Sequence, residues 1–362
     1  MSANPVHDLM LQAIHERVFP GAVLLVGKGD LPVFFEAYGM ADLFSNRPMS
    51  RETVFDLASL TKPLATTLAV ARLVDQERID LDQPVEKWLP DLSGGEKSIL
   101  TARQLLCHQG GFPAHRRFYM ILKSLAPGER RAAAAALLRQ TPLAYPPGQQ
   151  RVYSDLGFMV LCRLVEAASG GPMHHFLKRE VYDRLGLKDL FFVDLTRGGP
   201  PCKPYAATEL CPLRARLLVG EVHDDNAWFV GGVDGQAGLF GTAGAIFQML
   251  RQLVVHYRVD VPASVFSKSI LSEVFEGIKS NPLPLGFDRP SLPHSSAGRY
   301  FSANTLGHLG FTGVSFWMDL EKDVTVILLS NRVHPFRWNT RLNPFRPQIH
   351  DRIMEHFEFY SD

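Results

Sequence analysis

The segment "FDLASLTKPLATTLAVARLVDQERIDLD", Phe55 to Asp82, holds the residues on which the reading of this chain turns. Ser59 and Lys62 stand three apart in "SLTK", just before a run whose apolar residues recur at helical intervals. Pro63 lacks an amide hydrogen and is tolerated in a helix's first turn, where amides are unpaired, so Ser59 falls at the start of the helix. A serine there is a ready N-cap. The same spacing also puts Lys62 on nearly the same face as Ser59. The positive helix end disfavours an ammonium, which makes Lys62 a base for a Ser59 nucleophile. Taken alone the stretch reads first as a cap, and the rest of the chain has to decide.

At 362 residues the chain exceeds the size at which one core keeps growing, so two lobes are expected. Lys plus Arg total 38 against 37 Asp plus Glu, with no long run of one sign, which leaves no footprint for nucleic acid or an anionic membrane. A small molecule is the expected partner. Cys107, Cys162, Cys202 and Cys211 form no C-x-x-C pair and read as reduced thiols. The early apolar run "GAVLLVG" is too short to span a bilayer and follows no basic segment, so the sequence predicts a soluble, cytoplasmic protein.

"HDLMLQAIHERVFPG" predicts a helix ending at Pro20-Gly21, and "AVLLVGKGDLPVFFEAYGMAD" two strands about a Gly-Asp turn. From Pro63 to Gly199 the pattern is mainly helical, clearest in "RRAAAAALLRQ" and "FMVLCRLVEAASGG". A glycine-rich loop then leads to a helix capped by Thr242. Strands return in "TLGHLG", "GVSFWMDL" and "VTVILLSN", and "RPQIHDRIMEHFEFY" closes the chain as a helix. Strands at both ends predict an α+β fold: one mixed antiparallel sheet built from both termini and flanked by helices, with an inserted all-helical lobe. Residues 1–65 and 220–362 would form the sheet lobe and 66–219 the mainly helical one, with the active site between them.

Two further motifs bear on Ser59. "YPPGQQRVYSDLGF" sets Tyr153, Ser154 and Asp155 at the start of a helix, where a phenol, a hydroxyl and a carboxylate can project into a cleft; a capped helix with a half-buried tyrosine is the plainer alternative. In "TLGHLGFTG" His308 and the glycines interrupt a strand, as close approach by a ligand requires, or as a bulged edge strand would show.

In this order, Ser-x-x-Lys, Tyr-Ser-Asp and His-x-Gly, the motifs resemble those of the serine β-lactamase and penicillin-binding protein superfamily, S-x-x-K, [YS]-x-N and [KH]-[TS]-G. The resemblance is to its class C branch, which includes family VIII carboxylesterases and D-alanyl-D-alanine carboxypeptidase-like proteins, and it covers almost the whole chain. It implies that Ser59 is the nucleophile and that Lys62 and Tyr153 are the coupled pair that takes its proton and later activates water. Asp155, His308 and Gly310 would contact substrate, and the backbone amides of Ser59 and Phe311 would form the oxyanion hole.

The departures matter too. Leu309 replaces a hydroxyl residue, Asp155 stands for a neutral Asn, and His308 is only partly charged at neutral pH. The Asn and Arg that hold a β-lactam carboxylate in class C enzymes become Phe336 and Asn339. Arg332, Arg337 and Arg341 lie nearby, as substitutes or as a solvated basic loop. Short-chain esters are therefore the expected substrates, with Phe118, Tyr119, Trp228 and Phe229 read as lining an apolar acyl pocket or, for several of them, as core; a D-alanyl peptide or β-lactam is the alternative.

Glu221, His223, Asp224 and Asp225 in "EVHDDNAW" lack metal-ligand spacing and read as a loop wall, "GGVDGQAG" lacks a P-loop lysine, and His108 reads as a satisfied buried histidine. Nothing calls for a cofactor. No G-x-S-x-G occurs, which argues against an α/β-hydrolase esterase. A non-catalytic binding or self-assembling relative remains as the other function class, and Ser59, Lys62 and Tyr153 together speak for the enzyme.

Overall fold

In the computed structural model, which describes residues 4–291 and 295–360, the chain begins with helix α1 (Pro5–His15). Asn4 caps it, accepting from the amides of Val6 and His7 at 3.1 and 3.2 Å, and Pro5 fills a position that needs no donor. The helix stops short of Pro20 because Arg17 turns to φ +57°. Strands β1 (Gly21–Lys28) and β2 (Leu31–Asp42) form a hairpin about Gly29-Asp30, with Gly29 at φ +58°, and β3 (Arg47–Pro48) pairs with β2. Then come β4 (Phe55–Asp56), a 3₁₀ turn over Ala58–Leu60, a π-helical turn over Lys62–Thr67 and helix α2 (Leu68–Asp75).

The middle of the chain supplies α3 (Ala102–Leu106), α4 (Tyr119–Leu122), α5 (Arg130–Gln140), α6 (Asp155–Ser169) and α7 (Met173–Leu177). Three short strands follow within the stretch read as helical: β5 (Leu190–Phe192), β6 (Ala207–Cys211) and β7 (Arg216–Val219). Helix α8 (Asp225–Phe229), β8 (Leu239–Gly241), α9 (Ala243–Arg258) and α10 (Lys268–Glu276) lead to β9 (Thr305–Gly310), β10 (Val314–Asp319) and β11 (Val324–Ser330). Thr242 caps α9, accepting from Ala245 at 3.2 Å. The last helix, α11, covers Leu342–His356 and so starts one turn before Arg346.

Six strands lie in the order β3-β2-β1-β11-β10-β9, each antiparallel to its neighbours. The β1–β11 pairing, from Ala22 opposite Ser330 to Lys28 opposite Val324, joins the two ends of the chain. Alternation along these strands divides their side chains between two cores. Ala22, Leu24, Val26, Val326 and Leu328 pack with Val6 and Met10 of α1 and Ile349 and Ile353 of α11. Val23, Leu25, Ile327 and Leu329 face the larger core, shared with Leu68 of α2 and Leu250 and Leu253 of α9. Because both faces are covered, β1 and β11 read as unbroken apolar runs. The fold is α+β, an antiparallel sheet from both termini flanked by helices. Among the described residues no helix is long and apolar enough to cross a membrane.

Candidate active site

The turn that carries Ser59 is fixed from several directions. A small sheet, β4-β8-β5, sets its base: the Leu57 amide donates to Leu239 O at 2.9 Å, and Thr61 Oγ1 accepts from Leu239 at 3.1 Å while donating to Ala58 O at 2.6 Å. The buried Asp56 carboxylate accepts from the amides of Ala58 and His223 at 2.9 and 2.6 Å. These bonds hold Ala58 at φ +45°, a left-handed conformation that costs an L-residue roughly 1–2 kcal/mol. Ser59 therefore follows a strained residue, and its side chain caps no helix. Its Oγ instead meets Lys62 Nζ at 3.2 Å.

Lys62 is fully buried. Its Nζ also donates to Asp155 Oδ1 at 2.8 Å and to Gln236 O at 3.1 Å, and it lies 4.9 and 5.6 Å from the ring centres of Tyr153 and Phe158. Burial works against the ammonium, but Asp155, and after it Tyr153, overcome that and raise the lysine pKa. Asp155 thus opposes the bias toward a usable base that the helix end was expected to give Lys62. Asp155, the first residue of α6, is committed on both oxygens, since Oδ2 meets His115 Nδ1 at 3.2 Å. Burial pushes its carboxyl up, and the Lys62 ammonium with His115 holds it well below the usual range. Its carboxylate thus bonds Lys62 and His115 and also lines the cavity over Ser59.

Tyr153 presents a ring that is 40% exposed at the cleft while its phenol faces Lys62 and Ser59. Burial raises its pKa, and the pull of Lys62 does not cancel this. His108 packs on that ring at 4.5 Å and accepts from the Ser154 amide at 3.0 Å; burial, then Lys62, keeps it neutral. His308 differs from expectation. It is buried behind Tyr153, 5.9 Å between ring centres, with Nδ1 2.8 Å from Leu309 O and Nε2 3.9 Å from Asp288. Burial lowers its pKa against the pull of Asp288. Gly310 touches packing atoms: a Cβ there would stand 2.4 Å from Val314 Cγ2 and 2.8 Å from Leu57 O.

A cavity of about 430 Å³ opens over Ser59, and Tyr153, Asp155, Phe311, His115 and Arg117 share its wall. Thr312 Oγ1 donates to Asp56 O at 2.8 Å, which ties the turn of Phe311 to the turn of Ser59 and brings both backbones to one cavity. Asp224, Asp225, Asn226 and Arg337 also line it. Of the three arginines considered, Arg337 alone lines this cavity. Glu209 anchors it, with Nε 2.7 Å from Oε1, and the same carboxylate meets His223 at 3.1 Å. Arg332 is spent on the carbonyls of Phe311, Arg337 and Asn339, and Arg341 on Glu16 O. Phe336 stacks on Trp338 along a separate groove, and Asn339 donates to Arg17 O and Val18 O.

The acyl-pocket expectation fails for three of its four residues. Tyr119 reaches the cavity, but Phe118 is buried in the core, and Trp228 and Phe229 border another cavity. Glu221 binds Arg216 at 2.8 Å and Trp228 Nε1 at 2.7 Å, Asp225 binds Arg214 at 2.9 Å, and Asp224 caps α8 through Ala227 at 2.7 Å. Sequence reasoning missed His115, Arg117 and Asn226. The polar run "HRRF" between two helices was a signal for the first two. Asn226 accepts from Tyr119 at 2.9 Å and donates to Arg116 O at 2.8 Å, so it pins that run beside the nucleophile.

A profile of the family described as Beta-lactamase matches residues 6–347. An N-acetylmuramyl-L-alanine amidase of Bacillus subtilis (strain 168) is 32% identical over 357 residues, which cover 90% of this chain and 80% of that protein. A protein of Escherichia coli (strain K12) described as "Putative D-alanyl-D-alanine carboxypeptidase" is 28% identical over 355 residues, covering 90% and 81%. Among solved structures, EstCE1, a hydrolase with promiscuous acyltransferase activity, superposes with a TM-score of 0.72 at 22% identity, over 96% of this chain and 97% of its own.

Proposed function

The chain belongs to the β-lactamase family and is a serine hydrolase, and on that premise we propose that it cleaves small polar amides bearing a carboxylate, peptides or amino-acid conjugates of the cell-wall type, in preference to apolar esters. The observation that carries this reading is the polar lining of the cavity over Ser59. Arg337, Arg117 and His115 line it with Asp224, Asp225 and Asn226, and of the four aromatic residues expected there only Tyr119 does. A guanidinium fixed by Glu209 is a preorganised partner for a carboxylate. The names of the amidase and carboxypeptidase relatives point the same way.

Tyr153, beside the Lys62 ammonium, first releases its phenol proton to solvent in the open cleft, and Ser59 Oγ then attacks the carbonyl carbon as its own proton passes to the Tyr153 oxygen. The amides of Ser59 and Phe311 receive the oxyanion, each donor contributing about 3 kcal/mol. Tyr153 then returns the proton to the leaving nitrogen, the step that amides need more than esters. Water gives a proton to the same oxygen as it attacks the acyl carbon, and when the Ser59 ester bond breaks that proton passes from Tyr153 to Ser59 Oγ, which frees the acid and restores both groups. Ser59, Lys62, Phe311 and Arg337 come from the 1–65 and 220–362 portion and His115, Tyr153 and Asp155 from 66–219, which supports a site between two lobes. Four free cysteines support a cytoplasmic location.

The test compares kcat/KM on p-nitrophenyl butyrate, a chromogenic cephalosporin, N-acyl-D-Ala-D-Ala and N-acetylmuramyl-L-alanine, for the native protein and Arg337→Ala. The reading expects one of the two amides to be the best substrate and to lose at least about tenfold in kcat/KM with the variant, while the ester changes little. An ester preference with no effect of Arg337→Ala would restore the carboxylesterase assignment.

A further inference from the structure

We infer that Asp234, Gln236 and Asp224 form a proton-dependent switch in the cavity wall: a protonated Asp234 donates to the Gln236 side-chain oxygen, and an ionised Asp234 forces that amide to turn over. The inference concerns side chains outside the proton transfers at Ser59, and only its effect on substrate rests on the carboxylate reading above. Gln236 is buried, and both ends of its side chain meet acids. Nε2 lies 3.3 Å from Asp224 Oδ1, and Oε1 lies 3.2 Å from each oxygen of Asp234. An amide oxygen and a carboxylate are both acceptors, so Oε1 needs a hydrogen from Asp234. Turning the amide over gives Nε2 to Asp234 but sets Oε1 against Asp224. In either arrangement every contact is satisfied only while one of the two acids keeps its proton.

The proton belongs on Asp234. Asp224 lines the cavity over Ser59 and accepts from the Ala227 amide at 2.7 Å, which favours its anion. Asp155, His115 and Asp225 face it in turn. Asp234, at the other end of the amide, is buried and accepts from Gly235 at 2.7 Å. The cation acting on Asp234 is Arg131 of α5, and that guanidinium is already bound to both oxygens of Glu166 of α6, at 2.7 and 2.9 Å. Asp224 and Glu166 oppose the Asp234 anion, the Cys162 thiol of α6 faces it, and burial outweighs the rest, pushing its carboxyl up to about 7. The backbone has no room to relieve a clash with Gln236. Thr66 Oγ1 donates to Gly235 O at 2.7 Å, Lys62 Nζ to Gln236 O at 3.1 Å, and a Cβ on Gly235 would stand 2.0 Å from Phe158 O. The side-chain amide is therefore the part that responds.

Once Asp234 ionises, the interior gains a charge and the turned amide no longer donates to Asp224, so the wall beside Ser59 becomes more negative and repels a substrate carboxylate. Infrared difference spectra taken from about pH 5 to about pH 9 read the carbonyl stretch of a protonated carboxylic acid, and native protein minus Asp234→Asn isolates this one group. The band should vanish with a midpoint near about 7. The effect on substrate is read as a ratio: kcat/KM for N-acyl-D-Ala-D-Ala or N-acetylmuramyl-L-alanine, whichever the protein prefers, over kcat/KM for p-nitrophenyl butyrate. Groups that do chemistry on both substrates cancel in it. Between about pH 6 and about pH 8 the ratio should fall by about threefold or more in the native protein, through KM. In Asp234→Asn, whose Nδ2 donates to Gln236 Oε1 at every pH, it should stay level at the low-pH value. No band, or a midpoint in the ordinary carboxyl range, would overturn the retained proton. A native ratio that is constant with pH, or a variant ratio that still falls, would overturn its link to substrate. The infrared measurement uses no substrate, so a wrong substrate assignment leaves it standing, whereas an ester preference untouched by Arg337→Ala removes the carboxylate reading alone.

Discussion

Replacing Asp155 with asparagine keeps an acceptor toward Lys62 but strands a fully buried charge. The cost has a ceiling. Lys62 can always shed its proton, which at pH 7 takes about 4.6 kcal/mol from an ordinary lysine pKa of about 10.4. Ser59 Oγ, Gln236 O and two aromatic rings continue to favour the ammonium, so the expected destabilisation is about 2–4 kcal/mol, near the value for breaking a buried pair. The converse variant, Lys62→Met, should cost less, about 1–2 kcal/mol, because the Asp155 side chain is 20% exposed and keeps His115. The double variant Lys62→Met/Asp155→Asn strands neither charge and should fall well short of the sum, with a coupling of about 2 kcal/mol. Urea unfolding at pH 7, followed by tryptophan fluorescence and checked for constant m, measures all four proteins. Additive losses, or a larger loss for Lys62→Met than for Asp155→Asn, would refute the argument that Asp155 secures Lys62 as an ammonium.

Three further outcomes are expected. Tyr153→Phe and Lys62→Met should each cost nearly as much kcat/KM as the pair together, since one proton transfer needs both; losses that multiply in the double variant would show independent roles. Gly310→Ala forces the backbone between Val314 and Leu57 O to move, displacing the turn of Phe311 from that of Ser59, and kcat should drop by about tenfold or more; an unchanged kcat would separate this strand from the oxyanion site. Burial pushes the Asp234 carboxyl up to about 7, so between about pH 4 and 7 the folded protein binds a proton that the unfolded chain has released, and stability falls as pH rises. Asp234→Asn, which retains an acceptor for the Gly235 amide at 2.7 Å, should raise the urea midpoint at pH 8 and progressively less toward pH 4; a uniform effect across that range would contradict the burial argument.

The sequence was most legible where physics is local. The β1–β2 hairpin, the Thr242 cap and the Ser59–Lys62 spacing are set by residues within a few positions of one another. Strands β4, β5 and β8 span two or three residues each and show no periodicity to read. The surroundings of Lys62 were illegible for a related reason. A helix end carries about half a charge, while Asp155, 93 residues away, sets a full charge 2.8 Å from Nζ. His115 escaped notice, and Arg337 could not be told from Arg332 and Arg341, because their contacts with Asp155 and Glu209 reach across 40 and 128 residues. The aromatic residues read as an acyl pocket had the right composition, but folding sent Phe118 to the core and Trp228 to Glu221.

The most direct test of the account is covalent. The native protein is incubated with a fluorophosphonate, and the adduct is located by intact mass and peptide mapping, with Ser59→Ala as the paired control. The account predicts one adduct, on Ser59, absent from the alanine variant and slowed by prior incubation with the best amide substrate. An adduct on another serine, or an alanine variant that keeps its hydrolytic rate, would contradict it.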